Sequence, residues 1–419
     1  MRKVHYGWWV LFFSFFSLLT VQGARLSFGA FIVPWEKSLS TGRGMISFIG
    51  TLSFIVYGLT QPLVGKLIDR WGVRQIFSYS ALIAGIGIIL TVTVSTPLEL
   101  WLWFGILASI GFGGASSVAA SIAVTNWFNE KRGLALGIIT SGFGAGQFFM
   151  VPLALGIIQE KGWEAASLVL GSILAFLAFP LLLLFLRNRP SEMGLQPYGG
   201  SSDNQSDIKT NTKEKIKGSN SSFWRHRGFW CLILPYFVCG FTTTGLMDTH
   251  LVPLAHDHGF SASTTGTAVS LLALFNVIGT LASGHFADRW SNRWMLVTLY
   301  AVRAITVFFL IYIHQPYFLW LFSILFGLVD FSTVAPTTLL ATRYFQSMNV
   351  GLVLGWLSFG HQVGSALGAF IPGWLFDLTG GYSLAFLTAT IMLGGAVVLS
   401  FLLPHEAQKR KEEQQVVIQ

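Results

Sequence analysis

Charge is scarce: Asp, Glu, Lys and Arg make up only 11% of the 419 residues, against about 25% in an average soluble chain. With 53% hydrophobic residues and a mean hydropathy of +0.62, such a chain cannot coat itself for water and belongs in a membrane. Cysteine is nearly absent. Cys231 and Cys239 share one apolar run, which excludes a disulfide framework or a Cys-rich metal centre and makes both thiols expected apolar fillers. Acidic residues are the scarcer sign, 18 against 26 basic, for a net charge of +8. In a soluble chain that excess would point to nucleic acid; here the basic residues flank apolar runs and face anionic lipid headgroups, so lipid is the expected partner and nucleic acid is not. No nucleophile and base constellation, metal-ligand cluster or nucleotide-binding domain is visible, so no enzyme, cofactor or metal is expected. The glycine clusters Gly111-Phe-Gly113-Gly114 and Gly142-Phe-Gly144-Ala-Gly146 lack the strand and the Lys-Ser/Thr pair of a phosphate loop. They read as small residues that let membrane helices approach closely.

Long apolar runs fill the space instead. Crossing a bilayer core takes about 20 helical residues, and runs of that length fall at 8–33, 45–65, 76–95, 100–124, 133–158 and 164–186, then at 229–254, 264–286, 294–314, 317–341, 350–373 and 381–403. Twelve transmembrane helices are predicted. The first run is too long for a secretory leader and carries Arg25 where a cleavage site would need small residues, so it is expected to persist as a span. Alternate crossings put both termini on one side. Of the 26 Lys and Arg, only Lys37, Arg43 and Lys161 fall on the opposite side, while Arg25 and Arg303 lie inside spans. That bias predicts cytoplasmic termini, in a protein expected in the plasma membrane. Residues 188–228 are polar and rich in Gly, Ser, Lys and Glu, the composition of a flexible linker. It would join an N-terminal half, 1–187, to a C-terminal half, 229–404, ahead of a charged cytoplasmic tail, 405–419.

The halves repeat each other. Gly65-Lys-Leu-Ile-Asp69-Arg70-Trp71-Gly72-Val-Arg74 returns 219 positions later as Gly284-His-Phe-Ala-Asp288-Arg289-Trp290-Ser-Asn-Arg293, and Pro34 maps to Pro253, Trp103 to Trp320 and Phe128 to Phe345 at similar offsets. An internal repeat of this period marks one structural unit present twice. With an even number of spans per half, the repeat is parallel, an arrangement common in transporters. In the decapeptide Gly65 permits close approach of a neighbouring helix, and Asp69, Arg70 and Arg74, with Asp288 and Arg289 in the copy, can pair and separate as a conformational gate. These residues resemble the loop signature of the major facilitator superfamily, which implies its twelve-helix, all-α fold in two six-helix parallel repeats.

A narrower resemblance rests on Trp127-Phe-Asn-Glu-Lys131-Arg132-Gly133-Leu-Ala-Leu-Gly137, followed by Ser141-Gly-Phe-Gly144-Ala-Gly146-Gln147 and Pro152, with Tyr6-Gly7-Trp8-Trp9, His250-Leu-Val-Pro253 and Phe376-Asp377-Leu-Thr-Gly380. This looks like bacterial members of the monocarboxylate porter and oxalate/formate exchanger group. The resemblance implies alternating access and small organic anions, often moved with protons. One departure stands out: where the group places an arginine in its eighth span, four residues after an acidic or amide residue, this chain has Asn276 followed by Thr280. Tyr57 and Gln61 are their repeat equivalents, and each pair shares one helical face at i, i+4.

Ionisable groups inside spans are costly in lipid and usually face a cavity or a partner. Arg25, with Gln22 one turn away, is the anion-binding candidate, with a structural pairing as the alternative. Asp248 and His250 are about 200° apart around one helix, so at most one faces a transport path, and His250 is either substrate-facing or structural. Asp330, Asp248 and His361 are the candidates for proton coupling, each with a structural role as the alternative; Arg303 is expected to be scaffold. The expected function is secondary transport of a small organic anion, a monocarboxylate first, through Arg25, Gln22, Tyr57, Gln61, Asn276 and His250, as a symporter or antiporter with protons as the candidate coupling ion. An exporter of amphipathic compounds and a non-transporting membrane sensor are the alternatives.

Overall fold

The structure, a computed structural model, describes residues 5–199, 223–287, 289–345 and 350–404. Most of the linker, the tail and Asp288 lie outside the described residues. Among the described residues, ten continuous stretches are long and apolar enough to cross a bilayer, and one more long helix, Val350–Thr379, stands at a further expected run. The first half contributes Tyr6–Ser38, Arg43–Trp71, Val73–Thr93, Pro97–Trp127 and Leu134–Phe185. The last of these holds two spans, parted at Gly162, whose φ of 87° lies in the left-handed region that favours glycine. The second half contributes Arg227–Asp257, Ala262–Ala287, Asn292–Leu310, Pro316–Tyr344, Val350–Thr379 and Ser383–Phe401. Helices therefore stand at all twelve expected runs. Hydrocarbon offers no hydrogen bonds, so a spanning backbone must satisfy its own N–H and C=O groups, which helices do.

Where the helices break, the repeat is visible again. The fourth span leaves helical geometry at Ala115 and Ser116, and the tenth breaks its α-helix at Asp330 and tightens to a 3-10 turn over Phe331–Thr333, about 217 positions later. The first span is interrupted at Ser27, and the seventh widens to a π-helix over Phe241–Met247. Such interruptions free backbone groups inside the membrane and often mark functional regions. Close crossings recur in the same way. A side chain on Gly23 of the first span would meet the Gly146 carbonyl of the fifth at 2.7 Å, and one on Gly240 of the seventh would strike the His361 carbonyl of the eleventh.

The chain divides into two compact units, Met1–Lys215 with Asp248–Leu274, and Ile216–Met247 with Phe275–Gln419. The division does not follow the expected halves, because the end of the seventh span and the start of the eighth pack with the first six spans. Inside the first unit, Ser270 donates to the Phe148 carbonyl at 3.0 Å, and Arg43, only 3% exposed, bonds Glu36 at 3.0 Å and grips both oxygens of Asp257. Replacing Arg43 with Gln is expected to cost about 2 kcal/mol, because charged hydrogen bonds each contribute about 1.5–3 kcal/mol and these carboxylates retain partial access to solvent. Thermal melting of the purified protein checks this, and Arg43→Lys should recover only part because an ammonium lacks the fork.

The expected linker is ordered at its start. Asn188 caps the third span by accepting from the Arg74 backbone N–H at 2.8 Å, and its carbonyl accepts from Asn126 at 3.1 Å. Tyr198 exchanges backbone hydrogen bonds with Trp127, Asn129 and Glu130, and its ring packs against His5, Trp8 and Phe128. Residues 187–199 thus form a strap across the loops after the second and fourth spans. Polar composition suggested flexibility here, but the polar groups are occupied by loop backbone.

Candidate functional site

Arg25 and its neighbours form a polar cluster in the first unit. The guanidinium lies 4.1 Å from the ring centre of Tyr57 and 4.8 Å from that of Phe54, a cation–π arrangement that tempers the charge without using its N–H donors. Arg25 is 8% exposed, and among the described residues its guanidinium makes no hydrogen bond and no ion pair. It lines a cavity of about 20 Å³ together with Leu26, Phe28, Ser53, Phe54 and Asp248. That space holds about one water, so a carboxylate entering it must displace part of the wall. The Asp248 carboxylate accepts from the Gln147 amide at 2.9 Å, and Tyr57 is in hydrogen-bond contact with Gln61.

Two residues expected near the substrate have other surroundings. Gln22 donates through Nε2 to the Phe112 and Ala115 carbonyls, at 3.3 and 3.2 Å, so its amide closes the break in the fourth span. His250 is fully buried in the first unit and does not line the Arg25 cavity. Asp248 does line it, consistent with the two residues pointing to different faces.

The second unit holds its own polar network. Asn276 donates to Asp330 Oδ2 at 2.8 Å, and Thr280 donates back to Asn276 at 3.2 Å. Arg303, fully buried, donates to the carbonyls of Val329 and Asp330, which the break in the tenth span has released, and to Cys239 Sγ at 3.3 Å. Cys239 also touches Thr333 Oγ1 at 3.2 Å, which corrects its expected role as an apolar filler. The repeat explains the difference between the units. At the 217-position offset of the fourth and tenth spans, Cys239 corresponds to Gln22 and Val329 to Phe112. A thiol has no amide N–H pair to offer two carbonyls, and an arginine from the ninth span takes over that task. The His361 ring lies 4.9 Å from that of Tyr236, on the edge of this network.

The gate residues are spread out. Asp69, Arg70 and Arg289 are exposed and make no ion pair among the described residues. Arg74 is held inside the first unit, donating from Nε to the Leu183 carbonyl at 2.8 Å. The close approach expected at Gly65 is not made: among the described residues a side chain there would meet nothing within 4 Å. Sequence reasoning also missed Gln147, although it lies within a quoted motif. An uncharged amide among glycines carries no signal until a buried carboxylate is found beside it.

Comparison with known proteins agrees with this architecture. The family model of the Major Facilitator Superfamily matches residues 10–254 and again 237–417. An uncharacterized MFS-type transporter, YcxA of Bacillus subtilis (strain 168), is 28% identical over 97% of this chain and 97% of its own. Monocarboxylate transporter 13 of Bos taurus is 24% identical over 96% of this chain and 90% of its own. A bacterial homolog of the human lysosomal transporter Spinster, solved in an inward-facing and unoccupied conformation, matches with a TM-score of 0.76 at 15% identity, covering 96% of this chain and 97% of that one, a likeness of fold alone. One family model matching two successive stretches, and helix breaks recurring at a single offset, have the same origin: the chain is an integral membrane protein and belongs to the Major Facilitator Superfamily.

Proposed function

We propose that the protein is a secondary transporter of a small organic anion, a monocarboxylate by preference, working by alternating access in the plasma membrane with both termini in the cytoplasm. The observation that carries this reading is Arg25: a buried guanidinium whose donors are unspent among the described residues, stabilised by aromatic faces. A carboxylate is the natural partner for such a group, because two parallel charge-assisted hydrogen bonds match the guanidinium fork. Relatives named monocarboxylate transporters support the same substrate class. Arg25 thereby supplies the cation that Thr280 does not.

Asp248, lining the cavity with Arg25, is the first candidate to carry a coupled proton, since an arriving anion changes the charge balance around it. Asp330 with Asn276, and His361, are the second-unit alternatives. Asp69, Arg70 and Arg74, with Asp288 and Arg289, are assigned to conformational exchange: Asp69, Arg70, Arg74 and Arg289 lie at or next to helix ends, and Asp288 lies outside the described residues. Uptake into proteoliposomes tests the whole reading with a panel of formate, acetate, lactate, pyruvate and benzoate, with and without an inward proton gradient. Saturable uptake of at least one carboxylate, accelerated by the gradient, is expected. No uptake of any of them, with active export of amphipathic dyes, would replace this reading by the exporter.

A further inference from the structure

Arg25 and Asp248 line one cavity of about 20 Å³ without forming an ion pair. In a low-dielectric site opposite charges attract strongly, and a guanidinium normally closes on a nearby carboxylate through two hydrogen bonds. Something holds the two apart. The Gln147 amide donates to Asp248 Oδ1 at 2.9 Å, and Gln147 is itself 4% exposed. Its depth is set by the crossing next to it, where Gly146 lies against the Gly23 backbone, two residues before Arg25. The Tyr57 and Phe54 rings lie against the guanidinium.

We infer that Gln147 is a positioning residue for anion binding: by hydrogen-bonding Asp248 it keeps that carboxylate from pairing with Arg25, and so leaves the guanidinium open to a substrate carboxylate. This rests on the reading of Arg25 as the anion anchor. Without the Gln147 amide, Asp248 swings onto Arg25 and becomes an internal competitor, which an incoming anion must displace. Gln147 therefore acts on affinity through Asp248 and touches neither substrate nor proton.

The test uses the full-length protein in detergent. Gln147→Met keeps the length and packing of the side chain without the donor, and Gln147→Asn keeps the amide but shortens its reach, in case the first variant folds poorly. Binding is measured by calorimetric titration with the tightest binder among formate, acetate, lactate, pyruvate and benzoate. Either variant should bind at least tenfold more weakly, and adding Asp248→Asn to it should raise affinity at least tenfold above that of the single variant. In a structure of the ligand-free Gln147→Met variant, Asp248 should pair directly with Arg25. Affinity unchanged in the single variants, or a loss that Asp248→Asn does not restore, overturns the inference, as does a variant structure with Asp248 still apart from Arg25. Failure of the underlying reading looks different: it appears as undiminished binding in Arg25→Gln, or as no binding of any of the five anions by the original protein. In that case the ligand-free structure alone decides whether Gln147 keeps the two charges apart.

Discussion

Arg25→Gln is expected to weaken carboxylate binding at least a hundredfold, and Arg25→Lys about tenfold, with both proteins still folded. A hundredfold corresponds to about 2.7 kcal/mol, within the range of a charge-assisted hydrogen bond together with the loss of its partner. Lysine keeps the charge but not the planar fork, and an ammonium stacks less well against Tyr57 and Phe54. Folding should survive because Arg25 holds up no backbone: its contacts are two aromatic rings and the cavity wall. Calorimetric titration, with melting curves measured on the same samples, separates the two effects. Affinity in Arg25→Gln equal to that of the original protein would remove Arg25 as the anchor.

For Arg303 the opposite pattern is expected. Arg303→Met should destabilise the protein by about 3–5 kcal/mol, the usual cost of removing one member of a buried charged network. Two carbonyls of the tenth span, those of Val329 and Asp330, would lose their donor where no water replaces it. Arg303→Lys should recover little, because one ammonium cannot reach both carbonyls and Cys239 together. Thermal unfolding in detergent measures the loss, and a melting temperature within one or two degrees of the original would show that the broken helix is held some other way. Arg25 and Arg303 are thus the same residue type in different surroundings, one against aromatic rings and one spent on backbone.

Much of this protein was legible without coordinates. Span number and limits follow from the length of apolar helix a bilayer requires, and the duplication follows from a decapeptide recurring at one offset; both are local properties, and the helices appear where they were expected. Arg303, expected to be scaffold, donates to the carbonyls of Val329 and Asp330 in the tenth span, as Gln22 donates to those of Phe112 and Ala115 in the fourth. Expectations failed where a side chain's meaning depends on a partner distant in sequence. Gln22 sits one turn from Arg25 and looked like a second ligand, yet the carbonyls that take its amide are 90 and 93 residues away. Cys239 looked like filler because nothing near it in the chain is charged.

The amino-acid sequence by itself determined a twelve-span membrane protein built from two parallel six-helix repeats, because hydropathy and periodicity act over neighbouring residues and the bilayer imposes one length on all of them. Only the tertiary structure decided which buried polar groups stay available and which are consumed. It placed the amide of Gln147 on Asp248, joined Asn276 to Asp330, and put the end of the seventh span in the unit of the first six. Hydrogen bonds and ion pairs are settled by distances of about 3 Å between side chains, and those distances arise from helix crossings and helix breaks that no single segment encodes.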